Sequence, residues 1–346
     1  MLHTVDDTRI LIIKPSSLGD IVLALPALAA LRDRFPRAHI AWLVKKQWAG
    51  LLERVEGLDA VWPVDGGPGG WLSVIPRLRA ERFDVVLDLQ GLFRSGLLAW
   101  LTGCTTRIGF VDGREGSTLF YTQTVPVRIP DMHAVDRYLR AAAALGAAAD
   151  KGAEFRFRLA SEDRDAVDRL LSARGLPAGA AWIAVSSAAR WPTKRWPPAS
   201  FAAVLDRLQQ EGLGRVVLIG GAEERHEAQG LKRLMRTEPV DLTGETTLQL
   251  LPALLRSASL LLTNDSGPMH IAAAVGTSVV ALFGPTSPAL TGPYGTEHRA
   301  LTSPVPCSPC FSRRCRNPVQ LECLRNLSPE YVLEAVRGQL ALSGAR

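Results

Sequence analysis

The chain has no apolar run that reaches the ~18–20 residues needed to cross a bilayer. The longest candidate, Ile21 to Leu31, is short and interrupted by Pro26. The opening MLHTVDDTR lacks the basic-then-apolar order of a signal peptide, so a cytoplasmic protein is expected. There is no Lys/Arg block interleaved with aromatics, no zinc finger and no RNP-type motif, which argues against nucleic acid as a partner. Neither half carries G-x-G-x-x-G after its first strand, which weakens a dinucleotide dehydrogenase. Cysteine is scarce, five in 346 residues, and a disulfide framework is not expected in a reducing compartment.

What is present points to a globular protein of two domains. A length of 346 residues exceeds one ordinary core. Hydrophobic residues make up 47%, with mean hydropathy near zero. The net charge of +6 and pI near 9.3 favour anionic partners: nucleotides, phosphorylated lipids or a negative membrane leaflet. Four of the cysteines cluster as Cys307, Cys310, Cys315 and Cys323. They are the candidate ligands of a structural metal, although C-x2-C-x4-C-x7-C matches no standard site. The other reading is a compact Pro-rich loop with free thiols.

Apolar, β-rich runs alternate with helix-like segments twice over. Arg9–Lys14 leads into a helix expected from Leu18 to Arg34, followed by strands HIAWLV, FDVVLDLQG and TRIGF. The second half repeats the scheme with AWIAVSS, the helix FAAVLDRLQQEG, RVVLIGG, VDLTG, LLLTND and SVVALFG. Such alternation predicts α/β domains built on parallel sheets covered on both faces. The polar segment near residues 150–178 is the natural boundary, giving domains 1–165 and 166–346. The last helix, Pro329 to Leu342, could pack on either. Ligands of open α/β sheets bind at the carboxyl edge of the strands, and the polar motifs here fall just after strands.

KPSSLGD, residues 14–20, joins the first strand to the first helix. Ser17-x-x-Asp20 fits a capping box, so an ordinary helix start is one reading. The other is a site: Lys14 ends an apolar strand where burial is costly without a partner, and Gly19 lets a ligand approach the backbone. TNDSGPMH, residues 263–270, is also a helix start, with Asn264, Asp265 and Ser266 as turn residues and Pro268 in the first turn. Its free N–H groups around Ser266 and Gly267 suit a diphosphate, and His270 lies one turn inside. FGPTSP, at 283–288, would line the same edge. ARWPTKRWP, at 189–197, is either a solvated basic loop or a stiff loop presenting Lys194 to a departing phosphate. In GGAEERHE a carboxylate after RVVLIGG is placed to grip ribose hydroxyls.

At these motifs the chain resembles the family-9 glycosyltransferases, the ADP-heptose:lipopolysaccharide heptosyltransferases. The likeness runs from ILIIKPSSLGDIVLALPAL through DLQGLFRSGLL, LFYT, HAVDRYL and ARWPTKRWP to TNDSGPMHIAAAVGTSVVALFGPTSP. SSLGD early combined with NDSG-x-x-H late is the specific signature. The resemblance implies a GT-B fold of two Rossmann-like domains, with ADP-heptose held mainly by the second and the acceptor by the first. It implies inversion at the anomeric carbon without metal or cofactor, ADP-heptose being the donor substrate. Asp20 then falls at the position of the catalytic base, with Lys14, Ser16, Ser17 and Gly19 in the same loop. Lys194 matches the lysine that steadies the diphosphate, and Glu224, with Glu223 beside it, the acidic nucleotide contact. Asp265, Ser266, Gly267 and His270 match the donor-binding turn, while Arg114 and His133 fall where the family faces the acceptor.

SSLGD and LQGL resemble the enzyme adding the first heptose; ARWPTKRWP, NDSG and the CSPC tail resemble those adding the second. The expected acceptor is therefore lipid A–Kdo or the heptosylated inner core, with reversible contact to the inner leaflet. The rival readings are a GT-B transferase or epimerase using another sugar nucleotide, and a non-catalytic nucleotide-binding relative.

Overall fold

The computed structural model describes residues 8–127, 132–148 and 152–344. Residues 1–7, which carry most of the leader reading, and 149–151 at the expected linker fall outside these. The chain forms two compact units, Met1–Arg158 and Leu159–Arg346. The helix Ser161–Ser172 thus belongs whole to the second unit, where a division after residue 165 would cut it.

The first unit holds a parallel sheet of β1 (Arg9–Ile13), β2 (His39–Lys45), β3 (Ala60–Val64), β4 (Val85–Asp88), β5 (Thr106–Phe110) and β6 (Gln123–Val125), in the order β3-β2-β1-β4-β5-β6. Near-continuous apolar stretches such as ILII and IAWLV fit burial on both faces, and Ile10 to Ile13 are fully buried. β3 contains Pro63, which cannot donate to a ladder, and accordingly lies at the sheet edge. The expected helix from Leu18 to Arg34 divides at Ala24 into Leu18–Leu23 and Leu25–Arg34, because Pro26 has no N–H to return to the preceding turn.

The second unit repeats the topology. Its strands are β7 (Trp182–Ser186), β8 (Arg215–Leu218), β9 (Val240–Asp241), β10 (Leu260–Asn264), β11 (Val279–Leu282) and β12 (Arg299–Leu301). They run β12-β11-β10-β7-β8-β9, all parallel. Read from the other edge, this is the same order as the first sheet. The final helix, Pro329–Gly344, packs on the helix Pro198–Gln210 and on β10 to β12. Val332, Leu333 and Val336 bury its inner face in the core of this unit.

Each sheet has one place where neighbouring strands depart in opposite winding directions: between β1 and β4, and between β7 and β10. Doubly wound sheets open a crevice at that point, outside the carboxyl ends of the strands. The fold therefore nominates two positions before any side chain is considered.

Candidate functional site

In the first unit the switch point carries a buried charged cluster. Register pairs Ile13 with Asp88, so Lys14 leaves β1 beside the end of β4. Lys14 is only 3% exposed. Its ammonium lies 5.3 Å from the Tyr138 ring centroid. Burial alone would lower its pKa, but Tyr138, Asp20 and Asp88 outweigh that and hold it above the usual lysine value. Lys14 is thus a fixed positive charge.

Asp20 stands in the first turn of the helix Leu18–Leu23, where its Oδ2 accepts from the Ser17 backbone N–H at 3.0 Å and the Ser17 hydroxyl at 2.7 Å. Both bonds favour the ionised carboxylate, as does the neighbouring Lys14 ammonium. Ser16 and Ser17 are half-buried and joined by a cis peptide, and Gly19 is buried. The capping-box reading and the site reading thus fall on the same atoms.

Three members of the cluster were not foreseen. Asp88 is fully buried: its Oδ1 accepts from the N–H groups of Gln90 and Gly91 at 2.9 and 3.2 Å, and its Oδ2 from Tyr121 at 2.7 Å. Burial pushes its carboxyl up, against the pull of those bonds and of Ser95. Tyr121 and Tyr138 are both pushed up, first by burial. The sequence did carry a signal for Asp88, a carboxylate ending an apolar strand, as Lys14 ends β1.

Arg114 is exposed, and its backbone N–H bonds Gly91 O at 2.9 Å, which sets it beside the Asp88 turn. His133 caps the helix Ala134–Ala143: its Nδ1 accepts from Val135 N–H at 3.2 Å. That helix carries Tyr138 to the cluster.

The second switch point brings ARWPTKRWP and TNDSGPMH together. Lys194 Nζ lies 2.6 Å from Asp265 Oδ2, and Asp265 is 6% exposed. Thr286, from FGPTSP, donates to the same oxygen at 2.6 Å. Asn264 ties the loops to the strand end: its Nδ2 donates to Ser187 O at 2.6 Å and its Oδ1 accepts from Trp196 N–H at 3.0 Å. Lys194 also lies 4.8 Å from the Trp191 ring centroid. Ser266 is the N-cap of the helix Gly267–Ala274, which begins at this edge, and His270 is buried one turn inside. Such a start offers unpaired N–H groups and positive dipole to an anion. Thr286 and Asn264 were not singled out as side-chain contacts, since nothing in a linear sequence shows which turn residues converge.

Glu224 follows β8 and is half-buried, with Gly221 N–H donating to its Oε2 at 3.0 Å. Burial pushes its carboxyl up, Glu223 and Glu227 add to that, and the Gly221 bond and Arg195 oppose it. Glu223 is exposed.

The four clustered cysteines stand in unlike surroundings. The four thiols are near enough for Cys307, Cys310 and Cys315 to raise the Cys323 thiol beyond the effect of its burial. Yet Cys307 and Cys310 are exposed, whereas Cys323 is buried. Cys315 Sγ accepts from Leu321 N–H at 3.3 Å, and Cys307 Sγ from Asn317 at 3.5 Å. Among the described residues no three His, Cys, Asp or Glu side chains converge on a point that could hold a metal. Among the same residues no helix is long and apolar enough to cross a membrane.

The profile of glycosyltransferase family 9 (heptosyltransferase) matches residues 71–320. The chain is 29% identical to lipopolysaccharide heptosyltransferase 1 of Pseudomonas aeruginosa over 89% of its length and 87% of that protein. It is 28% identical to lipopolysaccharide heptosyltransferase 2 of Escherichia coli K12, covering 85% of this chain and 87% of that one. Among solved structures, the glycosyl transferase family 9 protein from Veillonella parvula superposes with a TM-score of 0.85 at 27% identity, covering 98% of each chain.

Proposed function

This chain belongs to glycosyltransferase family 9, an enzyme of GT-B fold, and from that premise we propose that it transfers L-glycero-D-manno-heptose from ADP-heptose to the inner core of lipopolysaccharide. The carrying observation is the Lys194–Asp265 pair beside the start of the helix Gly267–Ala274, at the point where a doubly wound sheet receives a nucleotide. Lipopolysaccharide heptosyltransferases 1 and 2 both match most of the chain, which supports lipid A–Kdo or the heptosylated core as the acceptor.

The reaction is a single, metal-independent displacement with inversion. An acceptor hydroxyl attacks the anomeric carbon, the bond from that carbon to the diphosphate oxygen breaks, and ADP departs with the electron pair. Asp20 takes the hydroxyl proton. Its hydrogen bonds and the Lys14 charge keep it ionised, which also makes it a weak base. Proton transfer therefore comes late, once the developing oxocarbenium has made the hydroxyl acidic. Lys194 and the amides at Ser266–Gly267 take up the charge growing on the diphosphate. Asp265 would repel that anion if left bare; Lys194 and Thr286 occupy its carboxylate and so make the edge attractive to phosphate. Glu224 contacts the nucleoside.

The test is nucleotide choice together with turnover. ADP should raise the melting temperature more than UDP or GDP, and ADP-heptose should be consumed only with a lipopolysaccharide-core acceptor. Preference for UDP or GDP, or no transfer to any truncated core, would overturn the assignment.

A further inference from the structure

Three consecutive surface segments of the first unit lack acidic side chains. Residues 66–80, 89–111 and 116–120 contain no Asp or Glu, yet the first two carry the exposed Arg77, Arg79 and Arg94. They form the helices Pro68–Ala80 and Phe93–Leu101, which pack against each other, and the second packs on the short turn Ser117–Phe120. Arg94 stacks on Trp71 at 5.6 Å, and Phe93 meets Phe120 edge-on at 5.3 Å, so the three segments make one continuous surface.

That surface is unusually apolar for something facing water. Leu72 is 62% exposed and Leu119 84%, and Phe93 and Trp100 stand out on the same helix face at i and i+7. On the first helix Leu72, Pro76 and Arg79 share a face at i, i+4 and i+7, all exposed. Of the acids at its border, Glu81 pairs with Arg9 and Asp112 with Arg137, while Asp65 and Asp84 are exposed. Glu115 stands exposed at the margin.

From this juxtaposition of exposed Leu72, Phe93, Trp100 and Leu119 with acid-free arginine helices, we infer that this face of the first unit docks on an anionic lipid bilayer. Apolar side chains enter the headgroup boundary while arginines meet lipid phosphates, the pattern of interfacial binding without a spanning helix. The placement gives docking a purpose. The helix Phe93–Leu101 starts at Leu92, in the turn whose N–H groups at Gln90 and Gly91 hold Asp88. A lipid-anchored acceptor in the same bilayer is thereby delivered beside the Lys14–Asp88 cluster. This purpose rests on the proposed function; the docking itself does not.

Flotation of the intact chain with phosphatidylcholine vesicles, with and without phosphatidylglycerol, tests it. Binding should require the anionic lipid and weaken at high salt. Arg79→Gln with Arg94→Gln should cut partitioning about 25-fold, at roughly 5-fold for each arginine. Leu72→Glu with Leu119→Glu should cut it by at least about 10-fold. Both double variants should keep the melting temperature and the rate of transfer to a delipidated, water-soluble acceptor. Failure of the wild type to float, equal binding to neutral vesicles, or unchanged binding by either variant would overturn the inference. So would conversion of a dimer to a monomer by these changes with vesicle binding intact, since a second copy would then cover the face. Absence of transfer to the soluble acceptor would strike the proposed function instead and leave flotation standing.

Discussion

At the scale of single residues the account turns on charges held in place before any substrate arrives. Asp20 accepts two hydrogen bonds from Ser17 and lies beside a buried ammonium. Asp20→Asn keeps the shape of the turn and removes the proton acceptor. Turnover should fall by at least ~10²-fold while ADP affinity stays within about 2-fold, since the group belongs to the acceptor side. Steady-state kinetics with calorimetry of ADP binding measures both, and near-normal turnover would return Asp20 to a helix cap. Lys194→Ala should behave differently. It removes the counter-charge of Asp265 and leaves a buried carboxylate facing the diphosphate. ADP binding and turnover should both weaken, each by roughly 10-fold or more. Unchanged ADP affinity would contradict the role of Lys194.

At the scale of elements, one anchor shows how acid should loosen the second unit. Asp206, on the helix Pro198–Gln210, accepts from Arg236 N–H at 2.9 Å, Thr237 N–H at 2.8 Å and the Thr237 hydroxyl at 2.6 Å. Burial works against its charge, but these bonds and the Arg236 charge prevail and hold the carboxyl below the usual aspartate value. A depressed native pKa means the stabilisation is complete above the unfolded value, near 3.9, and is lost as pH falls through the lower native value. Asp206→Asn should cost about 2 kcal/mol at neutral pH and flatten this part of the acid dependence. Urea unfolding between pH 6 and 3 checks it, and an equally steep loss in the variant would count against it.

The elements were also where sequence was most and least informative. VVLD and LLLTN were legible as strands because apolar β-formers buried on both faces leave a near-continuous run. β3 was not, because Pro63 is excluded from central strands and only its edge position tolerates it. KPSSLGD and TNDSGPMH announced both edges through turn chemistry, which is local. Asp88, Tyr121 and Tyr138 join Lys14 only through parallel register and a helix docked from far along the chain, and no local pattern encodes that. The cysteines are a third case: close spacing left a cage and a free-thiol loop both open, and the loop sets Cys307 and Cys310 at the surface while Cys323 is buried.

At the scale of the molecule, one sheet order is used twice, and each copy places charged groups at its own switch point. The first copy offers a carboxylate, and the second a lysine and a helix start. Our central claim is that the chain catalyses one displacement, with inversion at the anomeric carbon. The most direct measurement follows ADP-heptose and a defined truncated core acceptor by NMR in the presence of the enzyme. The account predicts one ADP released per new glycosidic bond, with anomeric configuration opposite to that of the donor. Retention of configuration, or release of ADP with free heptose and no new linkage, would contradict it.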